Sequence, residues 1–432
     1  MANEDNDRLL GYVHSLLSSA RTVGQGIEWV VGFEHELTMH LAASYSKLDG
    51  VPDDVWVRHG LVMQALARIK QSGNEEPTLE QWSDALGCVV GEFRSRPCNE
   101  YLIITPLHLA GKWIQRKRLL VVRKTRFERW SWRRVRRLSG WTQFQKDAAL
   151  DLKLLMPMGT KCDIRNLVPL VARTYAHSAR EAAERIDADC QLLRALINFV
   201  FLHNRWTRHF GGIPGQLVCS AVCLPAPVYG VFTASGDHEE TLSRMSYPAY
   251  KDVKDLASDD GHTLLHWLHL VNKASLDMQG LLVQLLLNYG LAVDCTDWRI
   301  AFLLLWQVLE AAALQHPDDY LQANEVKRRI LALRPYNVAL EQMLDMLMKL
   351  RHELVHKCLL SQEGEDKLEY MRLFAEETIR VIFDLSRRLS TLSLFKEFYE
   401  QQKGHKGKLR RILLDRRKAI NYLLSKPGVW GP

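Results

Sequence analysis

The sequence predicts a mainly α protein with a smaller α+β region, and three observations carry that expectation. Apolar residues recur at helical spacing near the N-terminus, at Leu9, Leu10, Val13, Leu16 and Leu17. A capping box, Ser178-Ala-Arg-Glu181, opens a second amphipathic stretch whose Ala182, Ala183, Ile186, Cys190, Leu193 and Ile197 share a face. From about residue 262 onward almost every segment has helical periodicity, whereas strand-like runs stay in the middle of the chain.

The chain has 432 residues, which suggests two or three domains. Its 47% apolar and 25% charged residues are ordinary for a globular protein. Residues 1–160 read as a helical and mixed region, helical over 8–95 and punctuated by Pro52, Asn74 and Pro77, with strands at 101–105 and 119–122. Residues 161–274 read as mixed α/β, with a helix over 178–203 and strands at 217–223 and 228–233. Residues 275–400 read as a helical domain, and 401–432 as a basic tail.

Residues 1–7 are polar and acidic, unlike a secretory signal, and the apolar runs 281–287 and 301–306 fall short of the ~20 residues that span a bilayer. Eight scattered cysteines read as reduced thiols. The expectation is a cytoplasmic protein with no membrane partner.

Charge is unevenly placed. The formal net charge is +7, yet Lys112 to Arg137 holds twelve Lys/Arg against one acid and Lys403 to Lys426 nine against one, which leaves the rest at −12. Two strongly basic segments on an acidic body point to an anionic partner. Within the first, Arg126, Arg129, Arg133, Arg134, Arg136 and Arg137 are interleaved with Phe127, Trp130, Trp132 and Trp141. That pattern suits phosphate pairing with base stacking on Trp130. It equally suits tryptophans packed in a core with arginines left in water. In the tail, Arg410 and Arg411 are further candidates.

Metal-type clusters are weak. Glu34, His35, Glu36 and His40 read as a solvated helix face, and Cys219-x-x-x-Cys223 lacks a partner pair. His262, His266 and His269 fall at i, i+4 and i+7, but Leu265, Trp267 and Leu268 among them favour a packing stripe. No metal and no cofactor is expected.

The chemistry-bearing constellation lies further on. Residues 301–314 form a dense apolar helix whose polar residues are Gln307 and Glu310. A lone carboxylate there wants a partner, such as an arginine on a facing helix, because an unpaired buried charge is costly. A further helix runs from about Val338 through Leu350, Arg351-His-Glu-Leu-Val-His356 follows at or near a helix junction with His352 and His356 at i, i+4, and an amphipathic helix closes the set.

This order, W-Q-V-L-E, then R-H-E-L-V-H, then a closing helix, resembles the HEPN superfamily, in particular Apea-like HEPN proteins of bacteria. The likeness covers roughly 275–400 and includes the run from Asn288 to Arg299. Arg351, His352 and His356 fill the places of the family's arginine, polar residue and histidine. Histidine stands at 352 where Asn or Asp is common, adding a second imidazole. The resemblance implies a C-terminal HEPN-type helical bundle, a homodimer that pools Arg and His in one cleft, and metal-independent RNA cleavage. It also implies a role as a defence or toxin effector, with RNA such as tRNA as substrate and a regulatory partner protein a further expectation. Glu310 would orient an arginine or histidine. The alternative is a non-catalytic HEPN module for dimerisation or for binding nucleotide or RNA, with Arg351 and His356 structural.

Overall fold

The computed structural model describes residues 2–19, 21–23, 26–28, 55–74, 76–109, 119–155, 167–206, 223–226, 228–243, 260–295, 297–314, 322–333, 338–357 and 365–401. Among them are thirteen helices and nine strands, so the chain is mainly helical with a smaller antiparallel sheet, as its periodicities predict.

Three helices share a core of their own. α1 (Ala2–Ser19), α2 (Val55–Gln71) and α3 (Leu79–Ser95) bury Val13, Leu16, Leu17, Leu66, Trp82 and Phe93 together. Asn74 and Pro77 lie in the connection before α3. There Thr78 accepts from Gln81 N at 3.3 Å, and its own N–H donates to the Gln81 side chain at 2.9 Å. β1 (Arg21–Val23) and β2 (Gly26–Glu28) pair as a short ribbon. Glu34, His35, Glu36, His40 and Pro52 lie outside the described residues.

The main sheet is antiparallel and seven-stranded. β3 (Asn99–Leu109) lies at its centre. β4 (Leu119–Val122), β5 (Thr125–Arg129) and β6 (Val168–Ala176) lead to one side of it. β7 (Cys223–Pro225) and β8 (Val228–Thr233) pair with the other, and β9 (His238–Ser243) follows β8. The expected strands at 101–105, 119–122 and 228–233 are present. Because β3 pairs along its length with β6, the sheet crosses the boundary drawn at residue 160.

Alternation along β3 sends Tyr101, Ile103 and Leu107 to one core and Leu102 and Ile104 to another. The second core is closed by the short α4 (Trp132–Val135) and by α5 (Trp141–Leu155), whose Phe144 meets Phe232 edge-on. The first is closed by α6 (Ala179–Trp206). Ser178 caps α6 by accepting from Glu181 N at 3.1 Å, while the Glu181 carboxylate reaches one residue past the cap, accepting from His177 N at 2.8 Å. The expected face is buried, but so is every residue from Leu192 to Leu202, because α6 has the sheet on one side and helices on the other.

Those helices are α7 (Asp260–Lys273) and α8 (Leu276–Asp294). Gly290 of α8 meets α6 so closely that a Cβ there would stand 2.7 Å from the Ala195 Cβ. α8 packs on α9 (Trp298–Ala312) and α12 (Glu365–Ser386); α10 (Ala323–Ala332), α11 (Val338–Lys357) and α13 (Leu392–Gln401) complete the bundle. α8 is long and apolar enough to cross a membrane by length and composition, a property the separate runs 281–287 and 301–306 did not reveal. Its Met278, Leu282, Leu285, Leu286 and Tyr289 are buried within the bundle.

The end of α9 is closed by side chains from α10 and α13. Tyr399 Oη donates to Ala312 O at 2.7 Å and Arg329 Nη1 to Ala313 O at 2.8 Å, which satisfies carbonyls the helix leaves without internal partners.

Candidate functional site

The site the motif points to is built from α9 and α11. Asp297 caps α9, its carboxylate accepting from Arg299 N at 2.8 Å and from Arg299 Nε at 3.0 Å. These hydrogen bonds from Arg299 hold the Asp297 carboxyl below its ordinary range. Along α9, Trp298, Phe302, Leu305, Trp306 and Leu309 are buried, Glu310 is half-buried and Gln307 is exposed. Gln307 and Glu310 therefore differ in burial despite their i, i+3 spacing.

On α11, Leu344, Leu347 and Leu354 lie on the buried stripe, and Arg351 occupies the remaining place in that 3-4-3 spacing. Its guanidinium is thereby aimed at α9. Arg351 Nη2 stands 3.6 Å from Glu310 Oε1, and the Trp306 indole N–H donates to the same oxygen at 2.7 Å. The carboxylate that looked partnerless in the sequence has both an arginine and an indole. His352 is exposed. His356 lies one turn on, its backbone in α11 and its side chain outside the described residues. By helical spacing the positions of His352 and His356 are about 100° and about 140° round the axis from Arg351.

The first basic segment is a second candidate surface. Arg126, Arg133, Arg134, Arg136 and Arg137 are exposed, and Arg129 is half-buried. The tryptophans go the other way. Trp130 is only 5% exposed and packs with Trp141, Phe144 and Val135 between the sheet and α5. Its indole N–H donates to Glu128 at 3.0 Å, and the Arg134 guanidinium lies over its ring at 3.7 Å. Trp130 is thus a correction to the base-stacking expectation: one side of the ring is core and an arginine covers it. Trp132 is half-buried, stacks at a tilt on Trp141 with centroids 5.6 Å apart, and donates to Leu167 O at 2.8 Å. Lys112, Arg116, Lys117 and Arg118, like Arg410 and Arg411, lie outside the described residues.

His262, His266 and His269 are exposed along α7, with Leu264, Leu268 and Val271 buried on the opposite side. Among the described residues no group of three or more His, Cys, Asp or Glu is placed to hold a metal ion. Cys219 lies outside them, and Cys223 is a buried free thiol whose pKa burial raises.

Three polar networks escaped the sequence reading. Buried Arg194 of α6 pairs with Asp294 at the end of α8, Nη1 to Oδ1 at 2.7 Å, and also donates to Gln191. Tyr289 Oη donates to Glu376 Oε1 at 2.6 Å inside the bundle, and Arg372 Nε stands 3.2 Å from the same oxygen. Burial first, and the Glu376 carboxylate second, hold the Tyr289 phenol well above its ordinary value. At the β4–β5 turn, Arg123 takes a φ of 51°, a left-handed conformation unusual without glycine. Its N–H donates to Asn272 Oδ1 at 2.6 Å, Asn272 donates to Val121 O at 2.8 Å, and its guanidinium pairs with buried Asp189. Within these networks, Arg372–Glu376 at i, i+4 and Arg194–Gln191 at i, i+3 carried a local signal.

No protein-family model, curated protein or solved structure matches this chain.

Proposed function

We propose that the chain is a metal-independent endoribonuclease of HEPN type. The observation that carries this reading is Arg351 set against Glu310 on neighbouring helices, with exposed His352 beside it and His356 one turn further along α11. A carboxylate at 3.6 Å helps hold the guanidinium in place, and 19% of the Arg351 side chain is exposed. A held arginine suits the charge that builds on phosphoryl oxygens.

In the proposed reaction the RNA 2′-hydroxyl gives its proton to one imidazole and attacks the adjacent phosphorus. The P–O5′ bond breaks, and the leaving oxygen takes a proton from a second imidazole. The products are a 2′,3′-cyclic phosphate and a 5′-hydroxyl. Imidazoles suit both steps because they exchange protons near neutral pH. The positions of Arg351 and His356 diverge round α11, so pooling them in one cleft calls on a second copy. A C2 homodimer, as in the family, meets that need. Action on tRNA as a defence or toxin effector in the cytoplasm, under a regulatory partner, is the biological form the resemblance suggests.

A second reading has its own support. Arg351, Glu310 and Trp306 also make a satisfied network, which a structural arginine in a non-catalytic HEPN module would equally need. One experiment separates the two. Purified protein is incubated with tRNA and total RNA in EDTA, beside Arg351→Ala and His356→Ala. Cyclic-phosphate products from the wild type, reduced about 100-fold or more in both variants, support catalysis. Equal cleavage by all three, or none by the wild type while the Arg351→Ala protein loses stability, selects the structural reading.

A further inference from the structure

We infer that the exposed arginines around α4 form a docking surface for double-helical RNA, one that reads the phosphate backbone and not the bases. The inference rests on the RNA-directed reading of the chain, although its test does not need cleavage.

The local fold sorts this segment into two sides. Trp132, Val135 and Leu138, spaced by three, turn into the core beneath the sheet, and Trp130 joins them. Arg133, Arg134, Arg136 and Arg137 take the other side and are exposed. Glu128, whose carboxylate accepts from Trp130 and lies 3.9 Å from Arg134, ties the cluster to β5. Two residues back on the same face of β5 stands Arg126, also exposed. Residues 125–137 thus present six arginines against one carboxylate.

Several arginines elsewhere have carboxylate neighbours, Arg173 with Glu100 at 3.3 Å, Arg180 with Glu184 at 3.3 Å, Arg328 with Glu325 at 2.6 Å and Arg380 with Glu377 at 2.8 Å, whereas exposed Arg94, Arg387 and Arg388 are scattered and do not form a cluster of this density. Within residues 125–137 the one acid, Glu128, is taken up by Trp130 and Arg134, and Asp237, which comes near just after α4, accepts from Ser139 and Ser235. Among the described residues, the side chains of Arg126, Arg133, Arg136 and Arg137 have no ion-pair partner. An uncompensated set of guanidiniums on one face suits a polyanion.

The buried rings decide which polyanion. Sites for single strands combine basic side chains with aromatic faces on which bases stack. Here Trp130 and Trp141 are buried in the core, Trp132 packs against it, and the Arg134 guanidinium lies over Trp130. What remains is a phosphate reader. RNA duplexes, whose major groove excludes side chains, are recognised through backbone and shape.

The test is binding of the full chain to a fluorescent RNA hairpin duplex, against an unstructured oligoadenylate of equal length, across a salt series. The probe protein is the wild type and the variant R126Q/R133Q/R136Q/R137Q, with circular dichroism to check that both fold alike. The expected result is duplex binding tighter by 10-fold or more than single-strand binding. It is indifferent to duplex sequence, and in the variant the log–log salt slope falls by about 3 to 4. Preference for the single strand, an unchanged slope in a folded variant, or tighter binding to phosphatidylserine vesicles than to duplex would overturn it. If RNA cleavage proves absent while duplex binding is lost in the variant, the nuclease reading fails and this one stands.

Discussion

Arginine behaves in opposite ways in the two halves of this molecule. In the helical bundle and along α6 three arginines are folded inward and matched: Arg194 with Asp294, Arg372 with Glu376, Arg351 with Glu310. At the α4 end of the sheet the aromatic rings go inward and the arginines stay in water. The difference shows that a run of Arg and Trp does not announce which residue type meets the solvent or a ligand. Position relative to a sheet face does. Trp130 follows a strand that already faces a core, whereas Arg194 lies on the stretch of α6 that is buried all round and is held there by a carboxylate.

The largest expected effects come from exchanging the two behaviours. Arg194→Ala leaves Asp294, whose side chain is 14% exposed, without its cation, where burial already raises its pKa against the pull of Arg194. Unfolding in urea should show a loss of about 3–5 kcal/mol. Trp130→Ala should cost a similar amount, about 3–5 kcal/mol, by opening a cavity beneath the sheet. Arg137→Gln, a few residues away and exposed, should stay within about 0.5 kcal/mol of wild type. An Arg137→Gln loss as large as that of Trp130→Ala would erase the distinction between the two regions.

A mid-sized effect probes the packing that brings Arg194 to Asp294. Gly290→Ala would place a methyl 2.7 Å from the Ala195 Cβ, so α6 and α8 must part. The expected cost is about 1–3 kcal/mol. Ala195→Gly in the same chain should restore part of it, and simple additivity in thermal unfolding would show that the contact is not what limits the approach.

How far the sequence led follows from the same physics. Periodicity located the helix over 178–203, strands at 101–105 and 119–122, the helix that carries Glu310, and the helix from 338 to 350, which the structure extends through Arg351 to Lys357; each is a local pattern of apolar residues. Glu310 was legible as a carboxylate in need of an arginine on a facing helix, since the desolvation cost is written into its neighbours. The sheet that joins 99–109 to 168–176 was not legible, nor was Arg194 with Asp294, a hundred positions apart, because long-range pairing leaves no local trace. Trp130 was ambiguous for a related reason: alternation along β5 says that Phe127 and Glu128 face opposite ways, but not which side is covered.

The smallest expected effect concerns the exposed arginines themselves. Crowded like charges repel, so the cluster around α4 should destabilise the free protein slightly, and the more so at low ionic strength. At about 0.15 M salt the screening length is about 8 Å, comparable to the spacing of neighbouring side chains, and the penalty fades as salt rises. The variant R126Q/R133Q/R136Q/R137Q should therefore melt slightly above wild type in low salt, by a few tenths of a kcal/mol per charge removed, with the gap closing in high salt. The paired bundle arginines predict the reverse: Arg380→Gln removes an exposed contact with Glu377 and should lower stability slightly in low salt. If both variants shift the melting point in the same direction, pairing does not distinguish the two regions, and the α4 arginines carry no stored repulsion for a polyanion to relieve.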